Sequence, residues 1–172
     1  MQSTMILNED ELDCLQELMN IAYGSATAAI TEILEAESTL SIPKISLIDA
    51  SLLQEHLEEF LETDTPHFMS RQQINGPISG ENLFVIDQNS ANNIALKFGL
   101  EEDEINNDEV SDIILEITNI LSSSTISKLA YEMDTKVSFS PPTINFIDSF
   151  EQLDNKFIDN YEKVIIISTN LN

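Results

Sequence analysis

Residues 13–20, DCLQELMN, and residues 112–119, DIILEITN, carry one pattern twice, and that repetition decides how the chain is read. Asp13, Glu17 and Asn20 reappear as Asp112, Glu116 and Asn119, 99 residues later. Each trio is followed, after 22 intervening residues, by a proline, Pro43 and Pro142. The same offset joins Asn8 to Asn107, Ile21 to Ile120, Ser25 to Ser124 and Asp49 to Asp148. A long period of this kind marks an internal duplication of one supersecondary unit.

Working outward, each trio sits in a helix. Asn8 followed by Glu11 is a capping-box pattern, so the first helix is expected to start at Asn8 and run to about Glu35. At about 100° per residue with Glu17 at zero, Leu15, Leu18, Ala22, Ala26, Ala29 and Ile33 gather within roughly 100° to 180°. That stripe is the expected core face. Asp13 and Asn20 fall near Glu17, on the opposite, solvated side. A second helix is expected from Asn107 or Asp108 to about Met133, with Ile114, Ile117 and Leu121 as its buried stripe.

Extended segments should follow both helices, at Thr39–Asp49 and Ser138–Asp148, with their interior prolines near a sheet edge or bulge. Residues 51–62 read as a short amphipathic helix with Ser51 and Gln54 as a capping box. Phe68–Ile74 and Leu83–Asp87 read as strands joined through the Asn75-Gly76-Pro77 turn. Ser90–Phe98 reads as a helix stopped by Gly99, and Lys163–Thr169 as a last strand. The expectation is one α+β domain over 1–172. It comprises two pseudo-symmetric helix-strand repeats, about 8–100 and 107–172, the second shortened at its C-terminal end. Their long helices should pack on a mainly antiparallel sheet.

Composition narrows the function. The 172 residues carry 31 Asp and Glu against seven Lys and Arg, a formal charge of −24. That argues against a phosphate-backbone binder, which needs clustered cations, and equally disfavours an anionic membrane surface. No signal peptide or membrane span is visible, so the expected location is cytoplasmic. One cysteine, Cys14, allows no internal disulfide, and two histidines, His56 and His67, offer neither a zinc spacing nor a catalytic triad.

Carboxylate and carboxamide at such spacing are ordinary on a solvated helix face when met once. Their recurrence in register calls for another reason. Glu and Asn one helical turn apart can act together: the carboxylate pairs with a lysine, and the carboxamide hydrogen-bonds a water as donor and acceptor. Neither is a strong nucleophile and no base adjoins them. The chemistry this suits is phosphoryl transfer to water, where alignment counts for more than covalent work.

The doubled D-x3-E-x2-N-x22-P pattern resembles that of the CheC/CheX/FliY chemotaxis phosphatases, closest to the two-site arrangement of CheC. The resemblance implies a CheC-like fold and hydrolysis of the aspartyl-phosphate of a CheY-like response regulator. Glu17 and Glu116 would pair with a regulator lysine. Asn20 and Asn119 would orient the attacking water. Asp13, Asp112, Pro43 and Pro142 would support them. It further implies no cofactor owned by this chain, Mg2+ in the partner's pocket, and a phosphorylated receiver domain or a CheD-like deamidase as partner. The chain itself would be a monomer or homodimer. The alternative it allows is a non-catalytic regulator-binding or adaptor module, in the flagellar switch or in receptor modification.

Overall fold

Asn8 starts the first helix, α1 (Glu9–Leu34), by the reciprocal bonds its sequence promises. Asn8 Oδ1 accepts from Glu11 N–H at 3.0 Å, and the Glu11 carboxylate accepts from Asn8 N–H at 2.9 Å. The computed structural model describes residues 8–34, 44–153 and 160–168. Pro43, the start of the strand expected from Thr39, the side chain of Ile33, residues 154–159 and Thr169 lie outside them. The second long helix, α4 (Asn107–Glu132), is capped one residue earlier than the 99-residue offset implies. Asn106, in extended conformation, accepts from both Asp108 N–H and Glu109 N–H at 3.1 Å.

The two long helices pack against each other as much as on strands. Met19 and Ala22 of α1 share a cluster with Leu129 of α4, while Ile30 shares one with Val110, Ile114 and Ile117. Early α1 therefore meets late α4, and the helices run antiparallel. This contact turns the buried line of α1. Ala22 and Ala26 are buried as expected, but Met19, Tyr23 and Ile30 join them, and Leu15, Leu18 and Ala29 are only half-buried. The shift is about 60° around the axis, because the partner is a helix lying beside the stripe as well as a sheet beneath it.

Between and after them come β1 (Lys44–Asp49), α2 (Leu53–Phe60), β2 (His67–Asn75), β3 (Gly80–Asp87), α3 (Gln88–Lys97), β4 (Ser138–Phe139), β5 (Thr143–Ile147) and β6 (Lys163–Ser168). A 3-10 turn, Ala50–Leu52, leads into α2. The Ser51/Gln54 capping box does not form there; Gln54 instead donates to Glu58 at 2.9 Å. The long strand expected at 138–148 is two pieces, broken where consecutive prolines, Pro141 and Pro142, can give no ladder N–H.

The sheet expected to be one is two, both antiparallel. β2 is the centre of the larger, with β3 on one side and β4 and β5 on the other. β1 pairs β6 apart from them, Lys44 opposite Ser168 and Asp49 opposite Lys163. The strand following each long helix thus pairs with a strand from the other half of the chain. Phe68, Ile114 and Val110 are wholly buried where α4, α3 and β2 meet. The architecture is α+β, long helices packed on antiparallel sheets. No helix among the described residues is long and apolar enough to cross a membrane.

Candidate functional site

Asp13, Glu17 and Asn20 are exposed on α1, and Asp112, Glu116 and Asn119 are exposed on α4. Within each trio the helix puts the Glu and Asn one turn apart, roughly 5–6 Å between Cβ atoms. Because the helices are antiparallel, with Met19 beside Leu129, Asn20 and Asn119 lie about nine residues apart along the pair, roughly 14 Å. The structure therefore does not merge the trios into one centre. Among the described residues none of the four carboxylates has a salt-bridge partner, so each is free to meet a cation from outside.

What lies beneath the two trios differs. Under Asn20 the neighbours are apolar: Met19 and Ala22 are buried with Leu129, against Leu15, Leu18, Ile45, Ile78 and Ile167. Among the described residues the Asn20 side chain makes no hydrogen bond. Under Asn119 the core is polar. Thr118 is fully buried and donates its hydroxyl to the Ile114 carbonyl at 2.7 Å, so the Ser70 hydroxyl must be the donor in the bond those two side chains share. Gln72, 1% exposed on β2, reaches Asn119 Oδ1 with its Nε2 at 3.0 Å and the Ser140 carbonyl at 2.9 Å.

Gln72 escaped the sequence reading, and its signal was visible. Phe68, Ser70, Gln72 and Ile74 alternate along one strand, and the two polar members stand at positions that Phe68 and Ile74 mark as inward. All four are buried. Pro142 is half-buried in the break between β4 and β5, just after the Ser140 carbonyl that Gln72 holds. His67 is buried at the start of β2, its ring tilted against Phe150 with centroids 4.7 Å apart, and His56 lies on α2 against Phe60. Among the described residues no group of three His, Cys, Asp or Glu is placed to hold a metal ion.

The chain and its fold have known counterparts. The family model described as chemotaxis phosphatase CheX matches residues 68–155, just over half of the chain, a span that includes Gln72 and the α4 trio. The flagellar motor switch phosphatase FliY of Bacillus subtilis is 25% identical over 170 residues, 96% of this chain. The chain spans only 43% of that protein's length. The crystal structure of Thermotoga maritima FliY shares the fold, with a TM-score of 0.75 at 20% identity, over 98% of this chain and 85% of the other. So does the FliM middle domain of Vibrio alginolyticus, with a TM-score of 0.64 at 13% identity, over 91% and 85%. The resemblance read from the motif pointed to CheC in particular; the family model and the sequence relative are CheX and FliY. Matched over more than half its length by the CheX model, and carrying the Glu-Asn pair of α4 inside the matched span, the chain belongs to the CheX family of chemotaxis phosphatases.

Proposed function

We propose that this protein hydrolyses the aspartyl-phosphate of a CheY-like receiver domain, using Glu17 with Asn20 and Glu116 with Asn119 as two separate sites. The single observation that carries the reading is the exposed Glu116–Asn119 pair, its carboxamide tied from below by Gln72, inside the span matched by the CheX model. The two-repeat division, about 8–100 and 107–172, is part of the same reading: equivalent helices bear equivalent pairs.

In this mechanism the glutamate accepts a hydrogen bond from a lysine of the regulator and fixes the two surfaces in register. The asparagine holds a water in line with the phosphorus–oxygen bond. Water oxygen bonds to phosphorus, the bond to the aspartyl oxygen breaks, and the regulator's carboxylate leaves with the electron pair. Inorganic phosphate carries away the water's oxygen. Asp13 and Asp112 flank the pairs in a supporting role, as Pro43 and Pro142 do in the chain that follows. Magnesium belongs to the regulator's own pocket, where it neutralises phosphoryl charge.

The test is phosphate release from a purified, phosphorylated receiver domain. Joint Asn20→Ala and Asn119→Ala substitution should lower turnover by at least about a hundredfold, the scale lost with a positioned catalytic group, while binding persists. Asn20→Ala, at an exposed side chain with no hydrogen bond among the described residues, should shift stability by only about ±0.5 kcal/mol, while Asn119→Ala also takes the acceptor from Gln72 Nε2 and should cost roughly 1–3 kcal/mol. Undiminished turnover in the double variant would remove the asparagines from the mechanism. A second reading is a non-catalytic receiver-binding or adaptor module of the flagellar switch; the name of the Bacillus subtilis relative carries the words "flagellar motor switch", and also "phosphatase". Binding by the parent chain without any phosphate release would establish it.

A further inference from the structure

We infer that Gln72 is the positioning residue of the α4 site, turning the Asn119 carboxamide so that its amino group faces outward and its carbonyl faces the core. This rests on the function proposed above and deepens one of its two sites.

The orientation follows from one backbone atom. The Ser140 carbonyl can only accept, so the Gln72 atom 2.9 Å from it must be the amino nitrogen. That nitrogen has a second hydrogen, and 3.0 Å away stands the Asn119 side chain, whose facing atom must then be the acceptor Oδ1. Reversing Asn119 would set two amino groups against each other; reversing Gln72 would set two carbonyl oxygens against each other. Gln72 cannot swing away, being 1% exposed on the central strand and in register with Asn82 of β3.

Packing alone does not call for glutamine here. Gln72 Oε1 is buried with no hydrogen-bond partner among the described residues, an orphan that an apolar side chain of similar size would not leave. What the glutamine supplies is the fixed amide above it. An outward Nδ2 donates one hydrogen to a lone pair of the attacking water, leaving the other lone pair for phosphorus, and its second hydrogen can meet a phosphoryl oxygen. Asn20, over Met19 and Ala22, has no such tie among the described residues, so the two sites are not equivalent.

The experiment uses the full chain in two backgrounds, with a receiver domain phosphorylated by acetyl phosphate as substrate. In the Asn20→Ala chain, adding Gln72→Leu should lower kcat roughly tenfold with KM within about twofold, as expected when a reacting group loses its alignment; the Tm lost with the donor to the Ser140 carbonyl should be similar in both backgrounds. In the Asn119→Ala chain the same Gln72→Leu should leave the remaining rate unchanged. Equal loss of rate in both backgrounds would make Gln72 merely structural and overturn the inference. Gln72→Glu keeps a hydrogen-bond partner but draws the Asn119 amino group inward, so kcat should fall here too; full activity would refute the orientation. If the parent chain releases no phosphate, the failure belongs to the proposed function. Side-chain amide exchange by NMR then decides the orientation alone: fast-exchanging Asn119 amino protons support it, and protected ones overturn it.

Discussion

At the scale of single residues the core is polar where an apolar core would be simpler. Ser70, Gln72, Thr118, Ser122 and His67 are all buried. His67 has the clearest consequence for stability. Burial pushes its imidazole below the ordinary value of 6.5, with Asp87, a hydrogen bond at Thr65 and Glu62 pulling the other way. Burial acts to raise Asp87, yet the Ser90 hydroxyl and N–H, with His67, hold it below the usual carboxylate value. Because the folded imidazole is the weaker base, the unfolded chain takes up a proton first as pH falls through about 6.5. The stability this group contributes is complete above that pH and is lost on acidification. Thermal unfolding at pH 7.5 and 5.5 should therefore show a lower Tm at the acid end, with a smaller difference in His67→Gln. An equal slope in that variant would assign the acid sensitivity elsewhere.

At the scale of elements, β2 matters most, since it joins β3, β4 and β5 and carries Gln72 to the underside of α4. Its far end depends on Gly76. That residue has φ of +142°, and a Cβ there would come within 2.8 Å of the Lys136 carbonyl, in the segment leading to β4. Gly76→Ala thus meets both an unfavourable backbone conformation and a backbone oxygen that cannot move aside cheaply. The expected cost is roughly 1–3 kcal/mol, read as a lower midpoint in denaturant unfolding. Loss of the Ile74–Phe139 and Asn75–Ser138 pairing should accompany it, seen as faster backbone amide exchange at these positions. An unchanged midpoint would mean that this turn relaxes without penalty.

For the whole molecule, charge dominates. At −24 the surface repels any acidic partner at long range, and the phosphorylation pocket of a receiver domain is itself acidic. Under the proposed function, docking would rely on short-range contacts, Glu17 or Glu116 with a lysine and apolar neighbours such as the exposed Ile21 beside Asn20. Screening weakens repulsion between exposed charges as it weakens attraction. Association with an acidic regulator should therefore quicken slightly as ionic strength rises from low to physiological, measured by stopped-flow. A steep slowing with salt would point to a basic partner instead and count against a receiver domain.

Features that are local or periodic were legible in the amino-acid order. It located both long helices to within a residue or two, the Asn8–Glu11 cap, the Gly76 turn, and the exposure of both Asp-Glu-Asn trios. These follow from the 3.6-residue repeat and from contacts a few residues apart. Tertiary structure alone decided the rest. The buried line of α1 turned because a second helix, distant in sequence, packs beside it. The expected single sheet became two because the strand after each long helix took its partner from the other half of the chain, a choice no local pattern encodes. The recurring motif makes the two trios look alike in sequence, since their exposed residues match. It could not show that one rests on Met19 and Ala22 and the other on Ser70, Gln72 and Thr118. Those supports come from strands distant in the chain, and only packing brings them under the helix.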